Sequence, residues 1–294
     1  MKKGYIAMVI ALAMWVTFAL TMRALHDSTL TTLDAALLRF GVPAVAMTLF
    51  VRPIVRRLRK VALWQVFAVA AGAGLPHFFF TAFGANLTSA TLVAMVVPGA
   101  VPVFVVLLSF VVFHRKPQTS HVLGVVIISV GCFTALIFAQ DPALVQGVLW
   151  LLSASGAWSV YTVALRDAGL RGVDVVALIA WPNFVVALIF GAVGSSPSTI
   201  FARTVELNEA FVIAGILGGG IGIISTISYA VAVREIGGTR AAVFGTLSPV
   251  ITLAIASVAR HESLEQYVIV ALFLIISGVL ISNTPQRLWF TTHA

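Results

Sequence analysis

Long apolar runs separated by short clusters of charge recur from one end of the chain to the other. Ten of them, each about twenty residues or longer, can cross a hydrocarbon core roughly 30 Å thick at about 1.5 Å of helical rise per residue. They lie at 4–25, 30–51, 61–84, 88–113, 118–139, 145–165, 173–194, 208–233, 238–259 and 264–283. Strands of an outer-membrane barrel would alternate apolar and polar positions in segments of about ten. These runs are continuous, so they predict helices, and the fold class expected is an all-α membrane protein with ten transmembrane helices. Met1-Lys2-Lys3 and the apolar stretch containing Ala11-Leu12-Ala13 superficially match a cleavable signal peptide. Apolar character continues past the apparent cleavage site to Met22, which favours a first helix.

Composition removes the water-soluble alternative. Hydrophobic residues make up 60% of the chain and charged ones 10%, with a mean hydropathy of +1.07, against roughly 45–50% apolar and about 25% charged in a soluble domain. The net charge of +8 does not mark a nucleic-acid partner, because the basic residues fall between apolar runs and form no continuous face. Cys132 is the only cysteine, so neither an intrachain disulfide nor a metal-ligand spacing exists. The sequence calls for no cofactor and no metal.

Basic residues set the topology. With the amino terminus in the cytoplasm, the inside receives Lys2, Lys3, Arg52, Arg56, Arg57, Arg59, Lys60, Arg115, Lys116, Arg166, Arg171, Arg234, Arg240 and Arg287, while the outside receives Arg23, Arg203 and Arg260. That excess places both termini inside by the positive-inside rule. The longest loop runs from about Ser195 to Leu207, so no soluble catalytic domain is appended.

The chain also repeats itself. A shift of 147 residues lays Ala94 to Gly131 on Ala241 to Gly278, matching Pro102 with Pro249 and His114 with His261. A shift of 143 brings Gly4 onto Gly147, Trp15 onto Trp158 and Arg23 onto Arg166. The expected organisation is a first five-helix repeat over 1–140, a second over 145–284 and a short tail over 285–294. Five spans per repeat is an odd number, so the two halves enter the membrane from opposite sides. Such inverted repeats are a common architecture of secondary transporters; a duplication retained only for packing is the plainer reading.

Trp15 and Trp158 in the first helix of each half, Leu38-Arg39-Phe40 in the second helix, and a Pro-bearing fourth helix followed by a charged turn and a Gly-ended fifth carry a resemblance. The chain is similar to the drug/metabolite transporter superfamily, in its EamA-type members. The resemblance implies a ten-helix inner-membrane carrier, and it alone suggests efflux. The family's Glu-bearing turn after the fourth helix is matched by Arg260-His261-Glu262 in the second half, but the first half has His114-Arg115-Lys116.

Interrupted helices at equivalent places in two halves point to a substrate site. The third span carries Gly72, Gly74 and Pro76, its counterpart carries Gly215, Gly218, Gly219, Gly220 and Gly222, and the fourth and ninth carry Pro98, Pro102 and Pro249. Proline bends a helix and frees carbonyls that in lipid must face protein, water or substrate; the glycines also suit close helix contact alone. Arg39, about 13 Å into its span by helical rise, must face inward. It could grip a substrate carboxylate or bond to backbone carbonyls. His77 could bond substrate or titrate, or be a core histidine satisfied by a neighbouring hydroxyl. Trp15, Trp158, Tyr161 and Tyr229 lie within spans, where they could wall a site for an apolar or aromatic solute or simply pack. Asn183, with Ser225, Thr226 and Ser228, adds hydrogen-bonding groups.

No Asp or Glu falls in the middle of any span; Asp34 and Asp174 stand in first turns nearer the surfaces. Cation–proton exchange on a buried carboxylate is therefore unsupported, and facilitated diffusion or coupling through His77 fits the residues better. The expected function is a secondary carrier of a small organic metabolite, an amino acid or related compound, whose partners are that solute and membrane lipid; the oligomeric state stays open. No nucleophile–base pair or metal cluster supports the alternative of a membrane-embedded enzyme, and rings of like charge that would mark a channel are missing.

Overall fold

The computed structural model describes residues 2–112, 114, 119–137, 141–166, 168–194, 197–236, 244–245, 247–259 and 266–282. Those residues form helices and their connections. Six helical segments are long and apolar enough to cross a membrane: Lys2–Asp27, Leu63–Leu87, Ala90–Val111, Pro142–Leu165, Gly172–Ala192 and Leu207–Ile236. A seventh counts if Thr32–Thr48 and Val51–Leu58, bent by 101°, are one span. Three shorter apolar helices, Thr119–Cys132, Leu247–Val258 and Gln266–Ser282, occupy the places of the expected fifth, ninth and tenth spans. Large apolar side chains such as Leu49, Phe67, Phe211 and Phe273 point outward. An outer surface this apolar has lipid as its solvent, and the chain is an integral membrane protein.

The expected second span ends early. Helix α2 (Thr32–Thr48) turns into α3 (Val51–Leu58), which holds Ile54 buried and leaves Arg52 and Arg56 exposed. Continuing straight would drive four arginines, Arg52, Arg56, Arg57 and Arg59, into hydrocarbon, so the chain folds over along the interface as basic amphipathic helices do.

Two further spans are interrupted, and a third is distorted, where glycine or proline had suggested it. The third is α4 (Leu63–Gly72) and α5 (Leu75–Leu87), with Pro76 in the first turn of α5. The fourth is α6 (Ala90–Gly99) and α7 (Val101–Val111), parting at Ala100 between Pro98 and Pro102. Serines of the sixth span reach both sides of that break: Ser155 Oγ lies 3.1 Å from the Val96 carbonyl and Ser159 Oγ 3.2 Å from that of Val101, and each also bonds within its own helix. The eighth span does not break but widens, into a π-helix over Ala214–Ser225. Extended π-helices are rare and concentrate at functional sites.

The remaining elements are α1 (Lys2–Ala24), α8 (Thr119–Ile137), α9 (Pro142–Arg166), α10 (Gly172–Ala192), the short α11 (Thr199–Ala202), α12 (Leu207–Ile213) before the π-helix, α13 (Thr226–Ile236) after it, α14 (Leu247–Ala259) and α15 (Gln266–Ser282). Their packing exchanges partners between the two repeats. The first span α1 packs on the eighth, and α9, the first of the second repeat, packs on the third. Helices α8 and α15, the last of each repeat, pack on one another. A Cβ on Gly124 would stand 2.5 Å from the Gly278 carbonyl, and one on Gly278 2.7 Å from that of Gly124. Only glycine allows so close an approach, and it replaces the hydrophobic drive that lipid removes.

Helices α2 and α10 also pair, and they run antiparallel. Trp181 of α10 donates to the Ala44 carbonyl of α2 at 3.1 Å, and the start of each helix is clamped to the segment beyond the end of the other. Asp34 closes a capping box with Thr31 and also accepts from Thr199 N at 2.9 Å, Ile200 N at 3.2 Å, Thr199 Oγ1 at 2.8 Å and Ser198 Oγ. Asp174 accepts from Arg171 N at 3.1 Å and takes the guanidinium of Arg57, with Nε 2.9 Å from each carboxylate oxygen and NH2 2.5 Å from Oδ1. The two carboxylates lie 140 residues apart and neither is exposed. They are equivalent clamps of different chemistry, one made of hydroxyls and backbone amides, the other an arginine fork.

Candidate functional site

Where the first, second, third, sixth, seventh and eighth spans meet, they enclose a chamber of about 70 Å³. It is lined by Trp15, Phe18, Arg39, Ala73, His77, Trp158, Tyr161, Ile179, Ile221, Ser225, Thr226 and Tyr229. Two aromatic groups face it, each built from residues of both halves. In one, Trp15 of α1 and Tyr229 of α13 stand 5.1 Å apart between ring centroids. In the other, Trp158 of α9 stands 4.9 Å from His77 and 5.0 Å from Tyr161. The repeat that relates Trp15 to Trp158 thus places one tryptophan in each group.

His77 sits in α5 just past the break in the third span, and its Nδ1 lies 3.1 Å from the Ala154 carbonyl. A carbonyl only accepts, so Nδ1 carries hydrogen and Nε2 of the neutral ring is left as the acceptor. Its partner is a backbone carbonyl of α9 where a hydroxyl was expected.

Arg39 makes the backbone bond that was one of the two roles weighed for it, and it stands at the chamber. Its NH1 donates to the Leu217 carbonyl of the π-helix at 3.1 Å. Gly222 makes room: a Cβ there would lie 3.0 Å from that nitrogen.

Asn183 does not line the chamber, contrary to the role its amide suggests. Its Oδ1 accepts from Leu75 N at 2.7 Å, and its Nδ2 donates to the Ala70 carbonyl at 2.8 Å and the Ile179 carbonyl at 2.7 Å. The Leu75 amide and the Ala70 carbonyl are backbone groups exposed by the break in the third span, which in lipid need a partner from within the protein. Gly74 is required for the fit, since a Cβ on it would stand 2.2 Å from Asn183 Oδ1. Asn183→Leu is expected to lower stability by about 2–4 kcal/mol, because a buried donor and a buried acceptor each lose a partner. Thermal unfolding in detergent measures this; an unchanged midpoint would mean the break is satisfied some other way.

Arg39 and Asn183 are 144 residues apart, and the carbonyls they bind, Leu217 and Ala70, are 147 apart. The same bond is therefore made twice between the halves, with donor and acceptor exchanged.

The prolines also stand off the chamber. Pro98 is exposed and Pro102 half-buried at the break in the fourth span, and Pro249 is buried in the first turn of α14. None of the three contributes wall, and Ser228 is absent from the lining as well. Phe18, Ala73, Ile179 and Ile221 complete the wall with no signal in the sequence beyond apolar character. The charged turn at 260–262 lies outside the described residues.

The class defined by this fold and site is a polytopic helical membrane protein whose two repeats close on a chamber walled by aromatic rings. The EamA-like transporter family matches it over residues 2–137 and again over 145–284, and the chain belongs to that family, whose members are membrane transporters. No curated protein matches the chain in sequence. A crystal structure with 19% sequence identity aligns over 99% of both chains with a TM-score of 0.63, which is a likeness of fold.

Proposed function

We propose that the protein is a secondary carrier that moves a small organic metabolite, an amino acid or related compound, across the cytoplasmic membrane by alternating access, with efflux as the physiological direction. The observation that carries this reading is the chamber itself, closed between two halves by the repeat-related Trp15 and Trp158. Ten spans in two inverted five-helix repeats, both termini in the cytoplasm, are part of the proposal. The antiparallel pairing of α2 with α10 and the exchange of partners between repeats support the inversion.

The chamber is about half the ~150 Å³ of an engineered cavity that admits benzene, so a metabolite enters only when the helices part. The two clamps suit that motion. On the proposed topology the Asp34 clamp lies at the external face and the Asp174–Arg57 clamp at the cytoplasmic face. With both closed the chamber is occluded; releasing one opens a path to one side while the other seals the opposite side. Flux is either facilitated or coupled to protonation at Nε2 of His77.

Counterflow in proteoliposomes tests the carrier reading. Unlabelled solute inside is expected to drive transient accumulation of labelled solute, saturating with concentration. A broad panel of amino acids and related acids giving no saturable flux would end it.

A further inference from the structure

Resting on the carrier reading, we infer that the cargo is a small monocarboxylate anion with an apolar body, recognised through Arg39, and that an ammonium group on it is dispensable. The deaminated acid is then a better substrate than the amino acid with the same side chain.

The charge of the chamber is the first ground. Among the described residues its lining has one permanently charged side chain, Arg39, and no carboxylate. A guanidinium in a water-poor site amid membrane helices is costly until something opposes its charge. Asp34 and Asp174 cannot do so, being held in the clamps at the two ends. A monoanion entering the chamber brings the missing charge with it.

The second ground is what the repeat leaves unused. Asn183 and Arg39 occupy equivalent positions and bind equivalent carbonyls, yet Asn183 spends its amide on three backbone partners. Arg39 has five N–H donors, and among the described residues it makes one hydrogen bond, to Leu217. Its guanidinium carbon stands 5.6 Å from the Phe40 ring centroid, and Gly222 lets its NH1 lie against the π-helix. An arm held in this way presents its remaining donors as a fork, and a carboxylate is the group that matches a fork with two parallel bonds.

The third ground concerns the rest of the wall. Trp15, Tyr229, Trp158 and Tyr161 offer ring faces to an apolar body. Those faces also attract a cation, but an ammonium here meets the repulsion of Arg39 and no carboxylate to offset it. A zwitterion gains at one end and loses at the other. A simple amine has only the ring faces to set against that repulsion.

A series matched in shape and graded in charge decides the matter: phenylpyruvate, phenylalanine and phenylethylamine, assayed by counterflow in proteoliposomes, with protein-free vesicles as the leak control. Phenylpyruvate is expected to half-saturate at a concentration about tenfold below phenylalanine, as befits a charge-assisted fork without an opposing term, and phenylethylamine is expected not to exchange. Arg39→Gln is expected to erase the preference for the keto acid, while Arg39→Lys keeps the charge, loses the fork and retains a weaker preference. Phenylalanine carried as well as phenylpyruvate, exchange of phenylethylamine, or an undiminished preference in Arg39→Gln would each overturn the inference and leave the carrier standing. If Arg39→Gln does not fold, the wild-type series and Arg39→Lys still decide. Failure of all three compounds overturns the inference; the carrier reading goes with it only if the wider panel also gives no saturable flux.

Discussion

Arg57→Met is expected to lower the thermal unfolding midpoint clearly, because it leaves Asp174 as a buried charge without its partner. The Asp174 side chain is 1% exposed, and without Arg57 its described partner is the Arg171 amide alone. The loss belongs to the stranded charge more than to the broken pair, so Asp174→Leu added to Arg57→Met should restore most of it, and a double-mutant cycle by thermal unfolding reads the difference. The single variant should also admit a membrane-impermeant reagent to the chamber from the face covered by α3. Equal stability of the single and double variants would remove Asp174 from the clamp.

Asp34→Asn is the matching change at the other end. Asp34 meets only donors, from Thr31, Ser198, Thr199 and Ile200. An amide offers one accepting oxygen, and its nitrogen must be turned toward groups that themselves donate. The hydroxyls can rotate to accept, but the backbone N–H groups cannot, so about 3 kcal/mol is expected to be lost with the charge and one or two bonds. The chamber should then become reachable from the side opposite to the one opened by Arg57→Met. Both variants opening the same side would contradict the assignment of one clamp to each face.

The fold was legible wherever one physical rule acts on a contiguous stretch. Continuous apolar runs gave the spans, and rare residues recurring at fixed shifts, Trp15 with Trp158 and Pro102 with Pro249, gave the repeat. The turn from α2 into α3 was legible in principle, since Arg52 to Arg59 cannot stay in lipid, but a hydropathy count extends a span to its last apolar residue. Glycine and proline marked the interruptions at Gly74, Ala100 and the π-helix. What they could not tell is who repairs each break. Asn183 looked like a substrate donor because its partner Ala70 is 113 residues away, and Pro98 looked like wall because the packing of its interrupted helix on α9 is not written in its own segment.

The site was half legible for a related reason. Arg39, His77, Trp15, Trp158, Tyr161 and Tyr229 stood out as polar or large aromatic residues within apolar runs, and all six line the chamber. Asp34 and Asp174 were passed over as surface acids because they sit in first turns. They are buried through contacts 164 and 117 residues distant in sequence. The shift of 140 that relates them was the available signal, and it shows which acids have an equivalent in the other half.

Ser225 lines the chamber and Cys132 is the only native cysteine, which makes one labelling experiment decisive for alternating access. With Cys132→Ser and Ser225→Cys combined, an impermeant maleimide is applied to intact cells and to inside-out vesicles, in each clamp background and with or without transported solute. The account predicts reaction from the external side when Asp34→Asn is present, from the cytoplasmic side when Arg57→Met is present, and protection by solute in both. Reaction from both sides at once in a single variant, or position 225 reached from neither, would contradict a chamber that opens alternately to the two faces.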